Sequence, residues 1–247
     1  MRVYAITMCF CKSVLLRGCL DHYKPLLQYP IHEHWITLNH WPIREQANSD
    51  ELIMIAKEYG CLVFDQQHDR GLHKAFNNWL NSIAIEDDSI VLGLDTKSGV
   101  NTAGFDSAVI DVMQHDPTIT ICCVSNDDTK NRGWNSDASL VQTTTNGTRY
   151  FICPAIAMWV VGAMRVDWIK RIGGFTEPNE YYGNLEIALK RKPGFKLAYL
   201  LDYWQVPIPH PSERFDPRYQ QWKHDHLRGF KRSFKEWLIE HNESLDR

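Results

Sequence analysis

The chain predicts an α/β fold: a single domain with a mostly parallel central sheet flanked by helices, followed by a helical C-terminal extension. Three observations lead there. Short apolar runs rich in β-formers alternate with helix-period segments through the first half of the chain. Crossovers of that kind join parallel neighbours and place helices on both faces. The 247 residues, 44% hydrophobic and 23% charged, are enough to bury one large core. They exclude a disordered, collagen-like or disulfide-stapled chain.

Arg2 to Phe10 (RVYAITMCF) reads as the first strand, Lys12 to Gln28 as a helix, and His34 to Leu38 as the second strand. Asn48 to Glu58 reads as a helix capped by Asn48 with Glu51 three residues on, and stopped at Gly60. Cys61 to Asp65 is the third strand. Leu72, Ala75, Phe76, Trp79, Leu80 and Ile83 then trace one continuous helical face. Ser89 to Leu94 is a buried-type strand running into Asp95-Thr96-Lys97. Phe105 to Met113 is a helix and Thr118 to Val124 a strand.

The second half changes character. Asn126 to Ser136 is polar and reads as a loop. Leu140 to Cys153 holds two β-prone runs about Asn146-Gly147, a two-residue hairpin signal. Ile156 to Val161 reads as a strand, Val166 to Ile172 as a helix stopped by Gly173-Gly174, Leu185 to Lys190 as a helix, and Leu197 to Leu201 as a strand.

The formal charge of −3 excludes a uniformly basic nucleic-acid coat. The seven cysteines lack zinc-ribbon spacing and several lie in apolar runs, so they read as core residues in a reducing cytosol. No signal peptide or transmembrane segment is expected, and the location expected is cytoplasmic. Ligands of open parallel sheets bind beyond the carboxyl ends of the strands. Asn39, Asp65 and Asp95 fall at such strand ends.

Four stretches, in order, resemble the GT-A fold glycosyltransferases of the large family-two type. Asp69 to Asn77 (DRGLHKAFN) resembles that family's Asn-x-Gly-x-x-x-Ala-x-Asn helix start. Ile90 to Lys97 (IVLGLDTK) resembles the strand that delivers Asp-x-Asp. Gly162-Ala163-Met164-Arg165 with Ile172-Gly173-Gly174-Phe175 is similar to the acceptor-side Gly-Ala…Gly-Gly-Phe segment. Leu185 to Leu189 is similar to Glu-Asp-x-x-Leu.

The resemblance covers residues 1–210 and implies a GT-A-like domain with a nucleotide-sugar half (1–125) and an acceptor half (126–210). Residues 211–247 form the extension. The implied activity moves a sugar from a nucleoside-diphosphate donor, a UDP-sugar among them, to an acceptor hydroxyl with inversion. Thr7 would pass near the base, Asn39 and Asp65 would meet base or ribose, Gly71 would permit close approach of the backbone, and Lys74 would reach phosphate.

In most members a divalent metal, Mn or Mg, bridges the Asp-x-Asp carboxylates and the diphosphate. Here Asp95 would contact ribose or a weakly held metal, and His210 stands where some relatives carry a metal-binding or phosphate-contacting histidine, but Lys97 replaces the second carboxylate. A lysine does not ligate such a metal, yet its ammonium neutralises diphosphate directly. Glu186 takes the general-base position, and Leu185 replaces the acid beside it.

Two other classes remain open: a catalytically inactive nucleotide-sugar or glycan-binding module, and a nucleotidyltransferase. Residues 213–235 carry seven Lys and Arg against three Asp and Glu, a local balance of +4, interleaved with five aromatic residues. That stretch reads either as a packed helix with solvated charges or as a surface for a polyanionic acceptor. The acceptors considered are a glycan, a lipid-linked glycan, and nucleic acid carrying a modified base.

Overall fold

The apolar run at the N-terminus forms β1 (Val3–Cys9), and the helix α1 (Ser13–Tyr23) carries the chain to β2 (Glu33–Leu38). A computed structural model supplies this description, for residues 1–9, 13–38, 46–66, 72–131, 133, 137–153, 161–175 and 192–208. Then come α2 (Gln46–Glu58), β3 (Leu62–Asp65), α3 (Leu72–Ser82), β4 (Ile90–Leu94), β5 (Ser98–Val100) and α4 (Phe105–His115). The second half adds β6 (Ile121–Ser125), α5 (Asp127–Asn131), β7 (Val141–Thr143), β8 (Arg149–Ile152), β9 (Gly162–Arg165), α6 (Val166–Arg171) and β10 (Leu197–Pro207).

The strand order is β3-β2-β1-β4-β9-β6-β10-β8-β7, with β5 paired to β10 off this path. Strands β3, β2, β1 and β4 are mutually parallel, and β10 runs parallel to β6. β9 lies antiparallel between β4 and β6, and β8 antiparallel to β10. The sheet is therefore mostly parallel.

Side-chain alternation along each strand divides the core between two faces. Ala5, Leu92, Cys122 and Ala198 pack with α1 and α4. Ile6, Val91, Cys123 and Tyr199 point the other way, onto Trp79 of α3 and Trp168 of α6. Leu16 and Leu20 of α1 and Leu52, Ile55 and Ala56 of α2 close a third cluster over β2. The chain steps from β1 outward to β3 with α1 and α2 on one face. It then returns past β1 to β4, and a right-handed crossover in that reversed direction puts α3 on the opposite face.

The structure departs from the sequence reading in local ways. Helix α2 begins at Gln46, so Asn48 lies inside it rather than at its cap; Gly60 does end it, with the Cys61 N–H on the Ala56 carbonyl at 2.9 Å. The Asn146-Gly147 hairpin is present. Its loop is longer than two residues, because Thr144 N–H still pairs with the Thr148 carbonyl at 3.0 Å while Gly147 N–H closes on Thr144 at 3.1 Å.

Part of the predicted loop at Asn126 is helix α5. The Asn126 side chain accepts from Thr129 N–H at 3.0 Å and the Thr129 hydroxyl accepts from Asn126 N–H at 3.1 Å, a reciprocal cap. β5 and β9 are additional strands, and β10 runs six residues beyond Leu201 to Pro207. The helix predicted at Leu185 to Lys190 and the extension lie outside the described residues, as does all of the strand predicted at Ile156 to Val161 except Val161.

One buried group gives a pH signature. His34 is half-buried on β2 and shares a 2.9 Å hydrogen bond with the Thr7 hydroxyl. Burial pushes its pKa down from 6.5 to about 4. The unfolded chain therefore takes up this proton first as pH falls. The stability tied to neutral His34 is whole above about pH 6.5 and is lost as pH falls through about 4. Urea unfolding at pH 7 and pH 4.5 is expected to differ by about 2 kcal/mol more in the wild type than in His34→Gln, allowing for partial exposure. Equal pH slopes would refute the assignment.

Candidate active site

The reversal in strand order sets the location of the site. Because β1 leads outward to β2 while β4 lies on its other side, the carboxyl ends of β1 and β4 lie side by side at a switch point, the place where open α/β sheets bind their ligands. The residue following β4 is Asp95. Its half-buried carboxylate accepts the Lys97 N–H at 3.2 Å, which folds Asp95-Thr96-Lys97 into a tight turn. Thr96 is buried and the Lys97 side chain is exposed.

The turn is held from behind. β5 follows at once and pairs antiparallel with the end of β10, Gln205 to Pro207. Ile208 N–H donates to the Lys97 carbonyl at 2.9 Å. Polar side chains at one rim are thus the direct outcome of parallel strands ending in register, Thr7 opposite Leu94 and Leu38 opposite Asp65.

Asp65 ends β3 half-buried at the same rim, three strand spacings from β4, or about 14 Å. Beside it, Gln66 is buried and ties the strand to α3: its amide donates to the Ala75 carbonyl at 3.0 Å and accepts from the Asn78 amide at 2.8 Å. Lys74 is exposed on the first turn of α3, next in sequence to the Ala75 that Gln66 holds. Thr7 is fully buried within β1, its hydroxyl on His34. Asn39, Gly71, Glu186 and His210 lie outside the described residues.

Two of the family-like stretches meet. Asn77, which closes the first, donates from its amide to the Phe175 carbonyl at 2.7 Å and accepts the Phe175 N–H at 2.9 Å. Gly174 has φ +80, and a Cβ there would lie 2.6 Å from the Asn77 side-chain oxygen. Only glycine takes that conformation without strain and leaves room for the amide. The rings of Phe76 and Phe175 sit 5.0 Å apart. Gly162 in the same family-like segment is equally constrained, since a Cβ would approach the Cys122 carbonyl to 2.4 Å.

Mg and Mn sites are built from several oxygen ligands, carboxylates foremost. Among the described residues no three His, Cys, Asp or Glu side chains form such a group. Asp95 offers one carboxylate, already engaged by a backbone N–H, with a lysine at the next ligand position. The described donor set does not fit the metal. What it does offer an anion is an exposed lysine side chain two residues from the Asp95 carboxylate.

No protein-family model matches the chain, and no curated protein matches it in sequence. Solved structures do match. A mannosyltransferase, PcManGT from Pyrobaculum calidifontis in complex with GDP-Man and Mn2+, aligns with a TM-score of 0.63 at 16% identity over 92% of this chain and 61% of its own. GalNAc-T7 with UDP, GalNAc and Mn2+ aligns at 0.62 and 14% identity over 86% of this chain and 44% of its own.

CMP:2-keto-3-deoxy-manno-octonic acid synthetase complexed with CTP aligns at 0.52 and 9% identity, over 92% and 99% of the two chains. The chain thus spans under two thirds of both glycosyltransferases. Its fold is GT-A-like, the fold of nucleotide-sugar glycosyltransferases. Among the described residues no helix is long and apolar enough to cross a membrane.

Proposed function

We propose that this chain transfers a sugar from a nucleoside diphosphate to an acceptor hydroxyl, with Lys97 supplying charge that a metal supplies in the related structures. The observation that carries the reading is the Asp95-Thr96-Lys97 turn at the switch point of a GT-A-like sheet. The base and ribose would lie toward Asp65 and Asn39, with Thr7 beneath and Gly71 and Lys74 at the near end of α3. The diphosphate would lie over Asp95 and Lys97.

As the bond from the sugar carbon to the diphosphate oxygen breaks, negative charge builds on that oxygen. A positioned ammonium stabilises it more in the transition state than before it. In the same displacement the acceptor oxygen bonds to the sugar carbon from the opposite face, and its proton passes to Glu186, giving inversion. The basic and aromatic stretch 213–235 supports an acceptor that carries phosphate, a chemistry shared by lipid-linked glycans and nucleic acid.

A melting screen of nucleotide sugars, each with manganese or excess EDTA, tests the reading through ligand-linked stabilisation. At least one nucleotide sugar is expected to raise the melting temperature, and its consumption is expected to persist in EDTA. No shift and no consumption would overturn the transferase reading. Full metal dependence would remove the role of Lys97.

A second reading, nucleotidyl transfer from a nucleoside triphosphate, is favoured by the near-complete coverage of the CTP-bound synthetase. Pyrophosphate release in the same assay would establish it. The first strand leads into Thr7 to Ser13 (TMCFCKS), which lacks the glycine-rich loop such enzymes use.

A further inference from the structure

The turn that bears Asp95 and Lys97 makes an unusual set of contacts with one helix. Cys19, His22 and Tyr23, on the last turns of α1, reach it at successive points. The Cys19 thiol donates to the Asp95 carbonyl at 3.5 Å. The buried Tyr23 hydroxyl donates to the Ser98 carbonyl. The Nε2 of His22 accepts the Val100 N–H at 3.0 Å.

Gly99 lies flat against the imidazole, so close that a Cβ at that position would fall 2.0 Å from Nε2. The His22 and Tyr23 rings meet edge to face at 5.3 Å, and Tyr23 leans on Phe105 of α4 at 5.9 Å. These contacts bridge 75 to 78 residues of sequence.

We propose that His22 and Tyr23 are positioning residues that splint the Asp95–Val100 segment, so that Lys97 is presented to the donor diphosphate in one arrangement. Neither touches the donor; they act through the backbone of Ser98 and Val100. The proposal rests on the glycosyltransferase reading for its effect on turnover, but the splint itself is a property of the fold. The physical reason for needing it is plain. A lysine has four rotatable stem bonds and loses catalytic value if its backbone anchor also wanders, since small misplacements cost large factors in rate. β5, at three residues, has too few ladder bonds to hold the segment alone.

The test compares His22→Leu, Tyr23→Phe and His22→Gln by amide hydrogen exchange and by steady-state kinetics with the nucleotide sugar found above. Glutamine keeps an acceptor near the position of Nε2; leucine does not. In His22→Leu and Tyr23→Phe the Gly99 and Val100 amides are expected to exchange at least about tenfold faster. Because Lys97 acts in the transition state, kcat is expected to fall about tenfold with the donor KM altered less than about threefold. His22→Gln is expected to restore both.

Gly99→Ala adds a second route: it should mimic His22→Leu in the wild type and cost nothing further in His22→Ala, where the ring is gone. Unchanged exchange at Val100 overturns the splint, as does raised exchange with an unchanged kcat. If the wild type consumes no nucleotide sugar, the glycosyltransferase reading falls, and the exchange of Val100 alone decides for or against the splint.

Discussion

Lys97→Gln is expected to lower turnover by about 10²- to 10³-fold while leaving donor affinity within a few fold. That range is what removal of one fixed charge-stabilising group costs in a closed site, and it corresponds to about 3–4 kcal/mol of barrier. Glutamine keeps the length and the hydrogen-bonding end but not the charge, so the variant isolates electrostatics from packing. Lys97→Arg keeps the charge and is expected to retain part of the rate, with the planar guanidinium misaligned for a point contact.

Lys97→Asp is the sharper arm. It recreates a carboxylate pair with Asp95 across the same turn, and activity is expected to be lost without metal and partly recovered with manganese. Rates of donor consumption for the three variants, with and without EDTA, check this. Turnover of Lys97→Gln within about threefold of wild type would place the compensating charge elsewhere.

Asn77→Ala is expected to be the most damaging truncation of a polar side chain among the described residues, at about 3 kcal/mol. The Asn77 amide satisfies both the N–H and the carbonyl of Phe175, a residue that is 2% exposed. Alanine removes both of these hydrogen bonds to a buried backbone, and loss of the partner of a buried polar group costs about 1–3 kcal/mol. For a chain of this length that amounts to a fall in melting temperature of roughly 8 °C. Asn77→Asp keeps the acceptor for the N–H but turns a carboxylate toward the carbonyl, and is expected to fall between alanine and wild type. A melting temperature within about 2 °C of wild type for Asn77→Ala would refute the argument. The consequence for the site is direct: the chain beyond Phe175, which carries Glu186, departs from a point fixed on α3.

The first four strands were legible because each is an apolar run bounded by turn residues, and the helix at Leu72 because its apolar face repeats at the helical period. β9 was not. Its sequence, Gly-Ala-Met-Arg, has no β-branched residue, and Gly162 is there because a Cβ would run into Cys122 and Cys123 of β6, while β4 pairs on the other side. Packing, rather than propensity, makes that segment a strand. Helix α5 was hidden by its polar composition, although Asn126 and Thr129 stand at capping-box spacing.

Asp95 was readable as the polar end of a buried strand. The side chains that hold its turn were not, because His22, Tyr23 and Val100 come together only through the tertiary fold. Gln66 could have been noticed as a second polar residue at the end of β3, but nothing local announces its bond to Ala75.

The insertion of β9 between β4 and β6 also bears on how the molecule comes into being on the ribosome. Both of those inner strands are complete by Ser125, yet neither has its lasting neighbour on that side until Gly162 to Arg165 has been synthesised. During that interval two hydrophobic strands stand with bare hydrogen-bonding edges at what will be the middle of the protein. The nascent amino-terminal portion is thus a dependent body: the facing edges of β4 and β6 stay open to mispairing until that short segment slides home, and the other edge of β6 waits longer still, for β10.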